Sequence, residues 1–307
     1  MRRFIEIAAG INPPEGLVES VHTQTEGNPL FVTETVRLFI QEGDLTPERL
    51  ASTDSWTMRA PEGVTQAIGR RLDRLSQRAN SVLTTAAVIG RQFTLAQLES
   101  IEDEVSEDRL LDVLDEALAA RVIEELPDEI GRYQFTHALI QQTLAEELSA
   151  ARVVRLHARI AEALEQLYVD DIETHVGELA EHFAEADAIL GPEKGARYLI
   201  TAAQQAFEAL SFEDARANFE RARELAEQLD DKALLAPILE GLGYSTYNTG
   251  SISDEYWPLI EQAFNIYVSL GDTKSAVRIG RYPAPAYNTE AQLALYRNAL
   301  TLAEPAS

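Results

Sequence analysis

The residues best suited to metal chemistry in this sequence are His175, Glu178 and His182. Positions i, i+3 and i+7 lie on one side of a helix, and imidazole and carboxylate groups are zinc ligands. Leu179 and Phe183 of the same segment favour instead a helix that packs an apolar face inward. Because the surrounding sequence offers no further ligand, we expect a structural helix and no metal site.

Phosphate chemistry would require a G-x-x-x-x-G-K-[ST] loop, whose backbone N–H groups cradle the phosphates while Lys and Ser/Thr serve the γ-phosphate and Mg²⁺. The segment Gly191–Gly195 (GPEKG) has the residue types in the wrong order, and no run ending in paired acidic residues precedes residue 20. Carboxylates occur everywhere, so no acid–base pair stands out. We therefore expect that this chain is not an enzyme, has no catalytic residue and holds no cofactor.

One clear basic cluster follows helical spacing and consists of Arg70, Arg71, Arg74 and Arg78. These guanidinium groups could contact a nucleotide phosphate, or they could form a solvated face paired with acids such as Glu62 and Asp73. Exposed pairs of the second kind are common and weak, so we favour the solvated face. Arg70 and Arg71 remain candidates for phosphate contact.

Composition narrows the classes of partner. The chain has 307 residues, no cysteine and a net charge of -25, which excludes disulfides and thiolate metal sites. A surface with this much negative charge repels phosphate backbones and anionic lipid. We therefore expect neither nucleic-acid nor membrane binding. The apolar patch near the N-terminus is too short for a secretory signal, and no apolar run is long enough to span a membrane. We expect a cytoplasmic protein.

The first 78 residues predict helices around a Gly27-Asn28-Pro29 turn. Residues 15–24 form a short helix that Gly27 ends, and Asn28 is a good N-cap with Pro29 at the first helical position. Apolar residues then share one face up to Gly43. A loop over 45–62 and a second amphipathic helix over 63–78 follow.

Residues 79–149 predict a winged-helix domain. Three helices are expected: one over 79–89, one capped by Thr94 and one capped by Ser106. Two runs of alternating apolar and polar residues, VIEEL and RYQFT, then form a small β-ribbon, and a further helix begins near His137. The helix after Ser106, which would be the recognition helix, is acidic, and DNA phosphates require the opposite sign. We interpret the domain as a protein-packing hinge that does not read DNA.

Residues 150–307 predict an α-solenoid. Helices are expected near 150–168, 173–188, 192–209, 212–229, 231–247, 254–270, 272–280 and 288–303. A spacing of i, i+4, i+7 occurs at Ala215, Phe219 and Ala222, and returns about forty residues later at Tyr256, Ile260 and Ala263, a period typical of helical pairs. Aromatic residues concentrate in the last repeats. They could fill the core or could form a surface that binds a ligand or a peptide, and the sequence leaves both interpretations open. The residues are Tyr244, Tyr247, Tyr256, Trp257, Tyr267, Tyr282 and Tyr287.

The order of several segments resembles one family. TEGNPLFVTETVRLF, PEGVTQAIGRRLDRLS, LTTAAVIGRQF, LLDVLDEALAARVIEE, GRYQFTHALIQQTL and LHARIAEALE follow one another. They resemble the signal-transduction ATPases with numerous domains (STAND), in the branch with a P-loop ATPase, a winged helix and tetratricopeptide-like repeats, as in large LuxR-type regulators and some nucleotide cyclases. The resemblance implies a mostly α fold: an ATPase lid remnant (1–78), a winged-helix domain with a small β-ribbon (79–149) and an incomplete tetratricopeptide-like α-solenoid (150–307).

The resemblance also implies nucleotide contacts. In the family a Gly-x-Pro element of the lid lies against adenine, and Gly27-Asn28-Pro29 matches it. A histidine after the wing reaches the β-phosphate of ADP, and His137 stands at a similar position. By its own residue type His137 could equally cap a helix or pack at a helix start. The P-loop core is missing here, so these residues, with Arg70 and Arg71, are expected to be vestigial contacts, and ATP or ADP with Mg²⁺ belongs to the full-length family. We expect that the chain is truncated at both ends.

The leading hypothesis is a sensor and hinge fragment of a STAND-type ATP-dependent regulator, either a transcription regulator or a nucleotide cyclase. Its repeats would sense a small-molecule inducer or a protein partner, and a P-loop ATPase core would act in cis or in trans. The alternative is a stand-alone solenoid adaptor that binds protein partners without nucleotide.

Overall fold

A computed structural model describes residues 1–25, 27, 29, 32–33, 36, 71–102, 105–127, 129–136, 138–249, 256–279 and 289–303. The chain divides into two compact units, Met1–Leu156 and His157–Ser307. In the described ranges most residues are helical, and a small three-stranded sheet lies in the first unit. The predicted mostly α fold with a small β-ribbon and a solenoid-like run of helices is therefore confirmed.

The first unit begins with helices α1 (Arg2–Ala9) and α2 (Glu15–Thr25). Helix α1, which the sequence analysis did not predict, ends at Gly10 with φ 68. Ile5, Leu17 and Val21 are buried together with Val32 and Val36. Arg2 links α1 to the start of α2, because its guanidinium donates 2.6 Å hydrogen bonds to the carbonyl oxygen of Pro13 and to the carboxylate of Glu15.

The predicted end of the helix over 63–78 is wrong. Residues 71 and 72 are helical, residues 73–75 turn, and Ser76 caps a new helix, α3 (Gln77–Ile89). The Ser76 hydroxyl accepts a hydrogen bond from the Ala79 N–H at 3.1 Å, and the Asn80 amide donates to the Leu72 carbonyl at 3.0 Å. These side chains satisfy backbone groups left at the two helix ends, so the break is stable.

The middle of the first unit has the order α3, β1 (Gln92–Thr94), α4 (Leu95–Ile101), α5 (Glu107–Ala119), β2 (Ile123–Glu125), β3 (Arg132–Phe135) and α6 (Ala138–Glu146). The antiparallel sheet has the strand order β1-β3-β2, so the expected two-stranded ribbon has a third strand. Three residues are too short to show a two-residue period, and β1 depends on pairing with β3. Phe93 of β1 packs on Tyr133 and Phe135 of β3, with ring centroids 5.9 and 5.6 Å apart.

The second unit is entirely helical in its described part. Helix α7 (Ala150–Leu167) leads into a 3-10 turn (Ile172–His175), α8 (Val176–Glu185), α9 (Asp187–Leu190), α10 (Pro192–Glu208), α11 (Phe212–Leu229), α12 (Lys232–Asn248), α13 (Tyr256–Leu270), α14 (Thr273–Ile279) and α15 (Thr289–Ala303). The predicted helix over 173–188 is divided at residue 186. From α8 onward, each long helix contacts chiefly its neighbours along the chain, as in helical repeats.

The recurring spacing marks the core of this unit. Ala215, Phe219 and Ala222 are buried in one cluster, and Tyr256, Ile260 and Ala263 are buried in the next. In the first set, the small residues Ala215 and Ala222 let a neighbouring helix approach while Phe219 fills the space between them. In the second set the first position is the large Tyr256, and Ala263 is the small residue. The recurring spacing therefore lies in the core of both repeats.

Candidate functional site

The predicted nucleotide contacts are only partly described. Asn28, Arg70 and His137 lie outside the described residues. Gly27 has φ 71, a left-handed conformation that glycine adopts at no steric cost, and it follows the end of α2. Pro29 is helical and exposed, and its carbonyl accepts a 2.7 Å hydrogen bond from the Thr33 hydroxyl. Gly27 therefore lies at the predicted helix end, and Pro29 lies at the predicted helix start.

The arginine cluster is solvated where it is described. Arg71, Arg74 and Arg78 are exposed, and Arg71 is in a helical segment whereas Arg78 is on α3. Within the described part, no hydrogen bond or ion pair joins Arg71 to Gly27 or Pro29. The contact of these residues with a nucleotide stays a prediction.

The solvent face of α5 is acidic. Its exposed carboxylates are Glu107, Asp108, Asp112 and Asp115, with Arg109 between them. Glu116 turns away and accepts hydrogen bonds from the Ser76 N–H at 2.5 Å and the Ser76 hydroxyl at 2.8 Å. The negative charge of this face repels phosphate, so the face is better suited to contact with protein than with nucleic acid.

The three candidate metal ligands do not converge. The His175 ring stacks on Tyr168 with centroids 3.6 Å apart, and its Nδ1 lies 3.7 Å from Glu178. Among the described residues, no group of three or more His, Cys, Asp or Glu side chains is arranged to hold a metal ion. His182 lies instead against His157, a partner that sequence spacing could not reveal because it belongs to another helix.

The two histidines form a hydrogen-bonded pair between α7 and α8. His157 Nδ1 and His182 Nδ1 are 2.9 Å apart, so one ring must donate and the other must accept. Burial lowers the pKa of His157, although the nearby carboxylates of Glu185 and Glu181 act in the opposite direction. The pair is a structural joint that depends on at least one neutral imidazole.

A cavity of about 210 Å³ lies between helices α10, α12 and α13. Its lining is mostly aromatic and consists of Phe207, Tyr244, Tyr247, Asn248, Tyr256, Trp257 and Ile260. Tyr247 is 48% exposed and stands at the rim, whereas Trp257 is buried. The cavity can therefore receive a compact group that has little need for hydrogen bonds.

A larger cavity of about 400 Å³ adjoins the first one and shares Phe207 and Tyr244 with it. Unlike the smaller cavity, it has several polar and charged lining residues: Gln204, Glu208, Glu240 and Arg278. The two cavities together give the repeat unit an apolar aromatic end and a polar end. Such an arrangement suits an amphipathic ligand or a peptide.

The polar end is held by a cluster around Glu240. The Arg278 guanidinium donates to Glu240 Oε1 at 3.1 Å and Oε2 at 2.7 Å, and the Tyr267 hydroxyl donates to Oε2 at 2.9 Å. The hydrogen bonds to Glu240 raise the pKa of Arg278. Burial and the charge of Glu240 raise the pKa of Tyr267. The cluster joins α12, α13 and α14.

Sequence reasoning found part of this site. Tyr244, Tyr247, Tyr256 and Trp257 were candidates for a ligand surface, and all line the smaller cavity. Tyr267 belongs instead to the Glu240 cluster, and Tyr282 and Tyr287 lie outside the described residues. Phe207 was missed because it belongs to an earlier helix, where a single aromatic gives no signal.

Comparisons with known proteins give distant similarities. No protein-family model matches the chain. An uncharacterized protein of Rhizobium meliloti (strain 1021) is 24% identical over 245 residues, which are 78% of this chain and 23% of that protein. The chain therefore spans less than a quarter of the length of this curated relative.

Among solved structures, the chain is similar to a Signal Transduction ATPase with Numerous Domains (STAND) protein with a tetratricopeptide repeat sensor from Pyrococcus horikoshii. The two are 12% identical, with a TM-score of 0.31, over 98% of this chain and 53% of that chain. So low a TM-score does not establish a common fold. In the described part of the chain, no helix has both the length and the apolar character needed to cross a membrane.

Proposed function

We propose that this chain is the sensor and hinge part of a STAND-type ATP-dependent signalling regulator, whose repeats bind a small-molecule inducer or a protein partner. The observation that carries the proposal is the pair of adjoining cavities that share Phe207 and Tyr244. Helical repeats bind through surfaces assembled from successive helices. In the whole regulator, occupancy of this site would bias a two-state switch that controls transcription or nucleotide cyclisation.

The first unit is proposed to be the hinge of that switch, with a winged-helix module and an ATPase lid remnant. The order α3-β1-α4-α5-β2-β3 supports the winged helix. The exposed carboxylates of α5 argue against phosphate binding and support a protein-packing role.

Nucleotide is proposed to bind elsewhere in the assembled regulator. The sequence has no P-loop motif, so ATP or ADP with Mg²⁺ would be held by an ATPase core in cis or in trans. Gly27, Asn28, Pro29 and His137, with Arg70 and Arg71, are proposed to contact the nucleotide once that core is present. We propose that the chain alone is not an enzyme.

A counter-screen tests the sensing role. A metabolite library is screened by thermal shift on the full chain and on Phe207→Lys, which places a positive charge on the wall shared by both cavities. We expect compounds that raise the Tm of the unmodified chain and leave that of Phe207→Lys unchanged. Compounds that stabilise both proteins equally, or no active compound at all, would contradict a sensor site here.

Calorimetry tests the nucleotide assignment. We expect no heat of binding when Mg²⁺-ATP or Mg²⁺-ADP is titrated into the chain at about 100 μM. A micromolar affinity for either nucleotide, weakened by Arg71→Ala, would show that a nucleotide site is complete without a separate core and would overturn the assignment.

The polar end of the larger cavity favours a second candidate, a stand-alone adaptor for a protein partner. The Arg278 side chain is 52% exposed although it pairs with Glu240, and mixed polar groups of this kind suit peptide recognition. Affinity capture with the tagged chain distinguishes the candidates. A protein other than a P-loop ATPase that is captured by the unmodified chain and lost with Arg278→Ala would favour the adaptor. Capture of a separate P-loop ATPase would favour a regulator whose core acts in trans.

A further inference from the structure

The smaller cavity has the composition of an aromatic cage. Five of its lining residues are aromatic, and they come from three helices: Phe207 of α10, Tyr244 and Tyr247 of α12, and Tyr256 and Trp257 of α13. The faces of aromatic rings carry partial negative charge. A site walled by several rings therefore differs from an aliphatic cavity of the same size, because it attracts cations as well as apolar groups.

Neighbouring rings of the cage are inclined to each other. Tyr247 and Tyr256 meet at 60° with centroids 5.2 Å apart, and Tyr256 and Trp257 meet at 86° with centroids 6.4 Å apart. Phe207 and Tyr244 meet at 57° and 6.4 Å. These rings come from three helices that border the cavity, and a cation is attracted by each ring whose face it approaches within about 6 Å of the centroid.

The charges around the cage have the sign that a cation requires. The described lining has no Lys, Arg or His side chain. The Trp257 indole N–H donates to the Glu261 carboxylate at 2.8 Å, which places a negative charge at the edge of the indole. Arg278 in the adjoining cavity is paired with Glu240, and the chain as a whole carries a net charge of -25. The local and the global fields therefore both favour a cation.

The size of the cavity sets the class of cation. An apolar cavity of about 150 Å³ accepts benzene, so a cavity of about 210 Å³ has room for a trimethylammonium group. The group needs no hydrogen-bond acceptor, which suits a lining with few polar atoms. We propose that this cage binds the quaternary ammonium group of a small organic cation. The inference rests on the proposed sensing role of the repeats and names the chemical class of the inducer.

Choline and its neutral carbon isostere, 3,3-dimethylbutan-1-ol, separate cation binding from simple apolar burial. The two probes have nearly the same shape and differ in charge. Titrations use the full chain at about 0.15 M NaCl, which screens weak association with the acidic surface. In a Trp56→Phe background, Trp257 is the remaining tryptophan, so its fluorescence reports occupancy of the cage. We expect choline to bind at least tenfold more tightly than the isostere, which corresponds to about 1.4 kcal/mol.

Substitutions at Tyr247 test the role of the rings without disturbing the core, because this residue is 48% exposed. Tyr247→Phe keeps an aromatic wall and should bind choline like the parent chain. Tyr247→Leu keeps apolar bulk and should weaken choline about fivefold or more while leaving the isostere unchanged. Tyr168→Leu, which removes an aromatic remote from the cage in sequence, serves as the matched control and should have no effect.

Equal affinity of choline and the isostere, or choline binding that Tyr247→Leu does not weaken, overturns the inference. The absence of choline binding also overturns it. If a neutral compound from the thermal-shift screen stabilises the chain but not Phe207→Lys, the cation inference fails while the sensing role stands. If no compound of any charge binds, both fail.

Discussion

Glu240 is the residue on which the polar end of the repeat site depends. Its carboxylate is 9% exposed, whereas the Arg278 guanidinium that it binds is 52% exposed. Glu240→Gln removes the charge and one acceptor but keeps the shape of the side chain. We expect the free energy of unfolding to fall by about 1–3 kcal/mol, because Arg278 can recover water whereas Tyr267 cannot fully do so. Urea unfolding followed by Trp257 fluorescence in the Trp56→Phe background measures the change.

The matched control for that substitution is Glu193→Gln. Glu193 pairs with Arg197 one helical turn away, and both side chains are more than half exposed. Exposed pairs contribute little, so this variant should change the unfolding free energy by less than about 0.5 kcal/mol. Equal effects of the two variants would show that the Glu240 cluster is no stronger than a surface pair.

The pair formed by His157 and His182 makes the second unit sensitive to acid. Burial lowers the pKa of His157 below its ordinary value of 6.5. Below that pH the unfolded chain takes up a proton that the folded chain resists. The stabilisation is therefore complete above about pH 6.5 and is lost as the pH falls toward the lower, folded-state pKa.

We expect the Tm of the second unit to fall between about pH 7 and pH 5, and His157→Gln to reduce this slope because glutamine hydrogen-bonds without titrating. Calorimetric scans over this range measure both proteins. Parallel curves for the parent chain and the variant would mean that His157 does not contribute to the acid response.

At the scale of elements, helix caps show what sequence can and cannot predict. Thr94 and Ser106 were both predicted as N-caps, and helices do begin after both. Thr94 forms a capping box with Gln97, whereas Ser106 makes no side-chain capping bond. Residue type and position predict the start of a helix. The rotamer that completes the cap depends on neighbours that the pattern does not contain.

Glycines 241 and 243 determine how closely α12 approaches its neighbours. A Cβ at Gly241 would lie 2.2 Å from Cζ of Phe219, and one at Gly243 would lie 2.5 Å from Cδ1 of Ile260. Alanine normally favours a helix over glycine. Here Gly241→Ala should destabilise the repeat unit by about 1–3 kcal/mol, because Phe219 is buried and must move.

Gly177 of α8 provides a control for which the expected change in stability has the opposite sign. It is exposed, and a Cβ there meets nothing within 4 Å. Gly177→Ala should therefore stabilise the chain by up to about 0.5–1 kcal/mol. Urea unfolding of the two variants compares the signs directly, and stabilisation by Gly241→Ala would show that α11 and α12 can separate at no cost.

At the scale of the whole molecule, the repeat helices could be predicted because apolar residues recur at helical spacing along the second unit, and because some helices end at residues that favour a stop, as α11 does at Asp230 and α13 at Gly271. The third strand could not, because its three residues depend on pairing with β3. The cavities were predicted only in part. Phe207 and Trp257 belong to helices about fifty residues apart in the chain, and their convergence is a property of the packing. One-dimensional patterns predict the faces of helices but not the spaces between them.

The net charge of -25 also acts on the molecule as a whole. The chain has 51 acidic and 26 basic side chains, so 25 acidic side chains remain when each basic side chain is matched with one acid. Their repulsion destabilises the compact state and is screened by salt. The Debye length falls from about 30 Å at 0.01 M to about 8 Å at 0.15 M ionic strength. We therefore expect the urea midpoint to rise with NaCl over this range, with urea chosen because it adds no ions.

Charge reversal on α5 gives the same prediction a local test. Asp108, Asp112 and Asp115 are exposed on one acidic helix, so replacing all three by Lys should raise the midpoint at low salt and reduce its dependence on salt. Surface ion pairs act in the opposite direction, because salt weakens them by up to about 1 kcal/mol each. A midpoint that falls as NaCl is added would mean that these pairs outweigh the repulsion among the acids without partners.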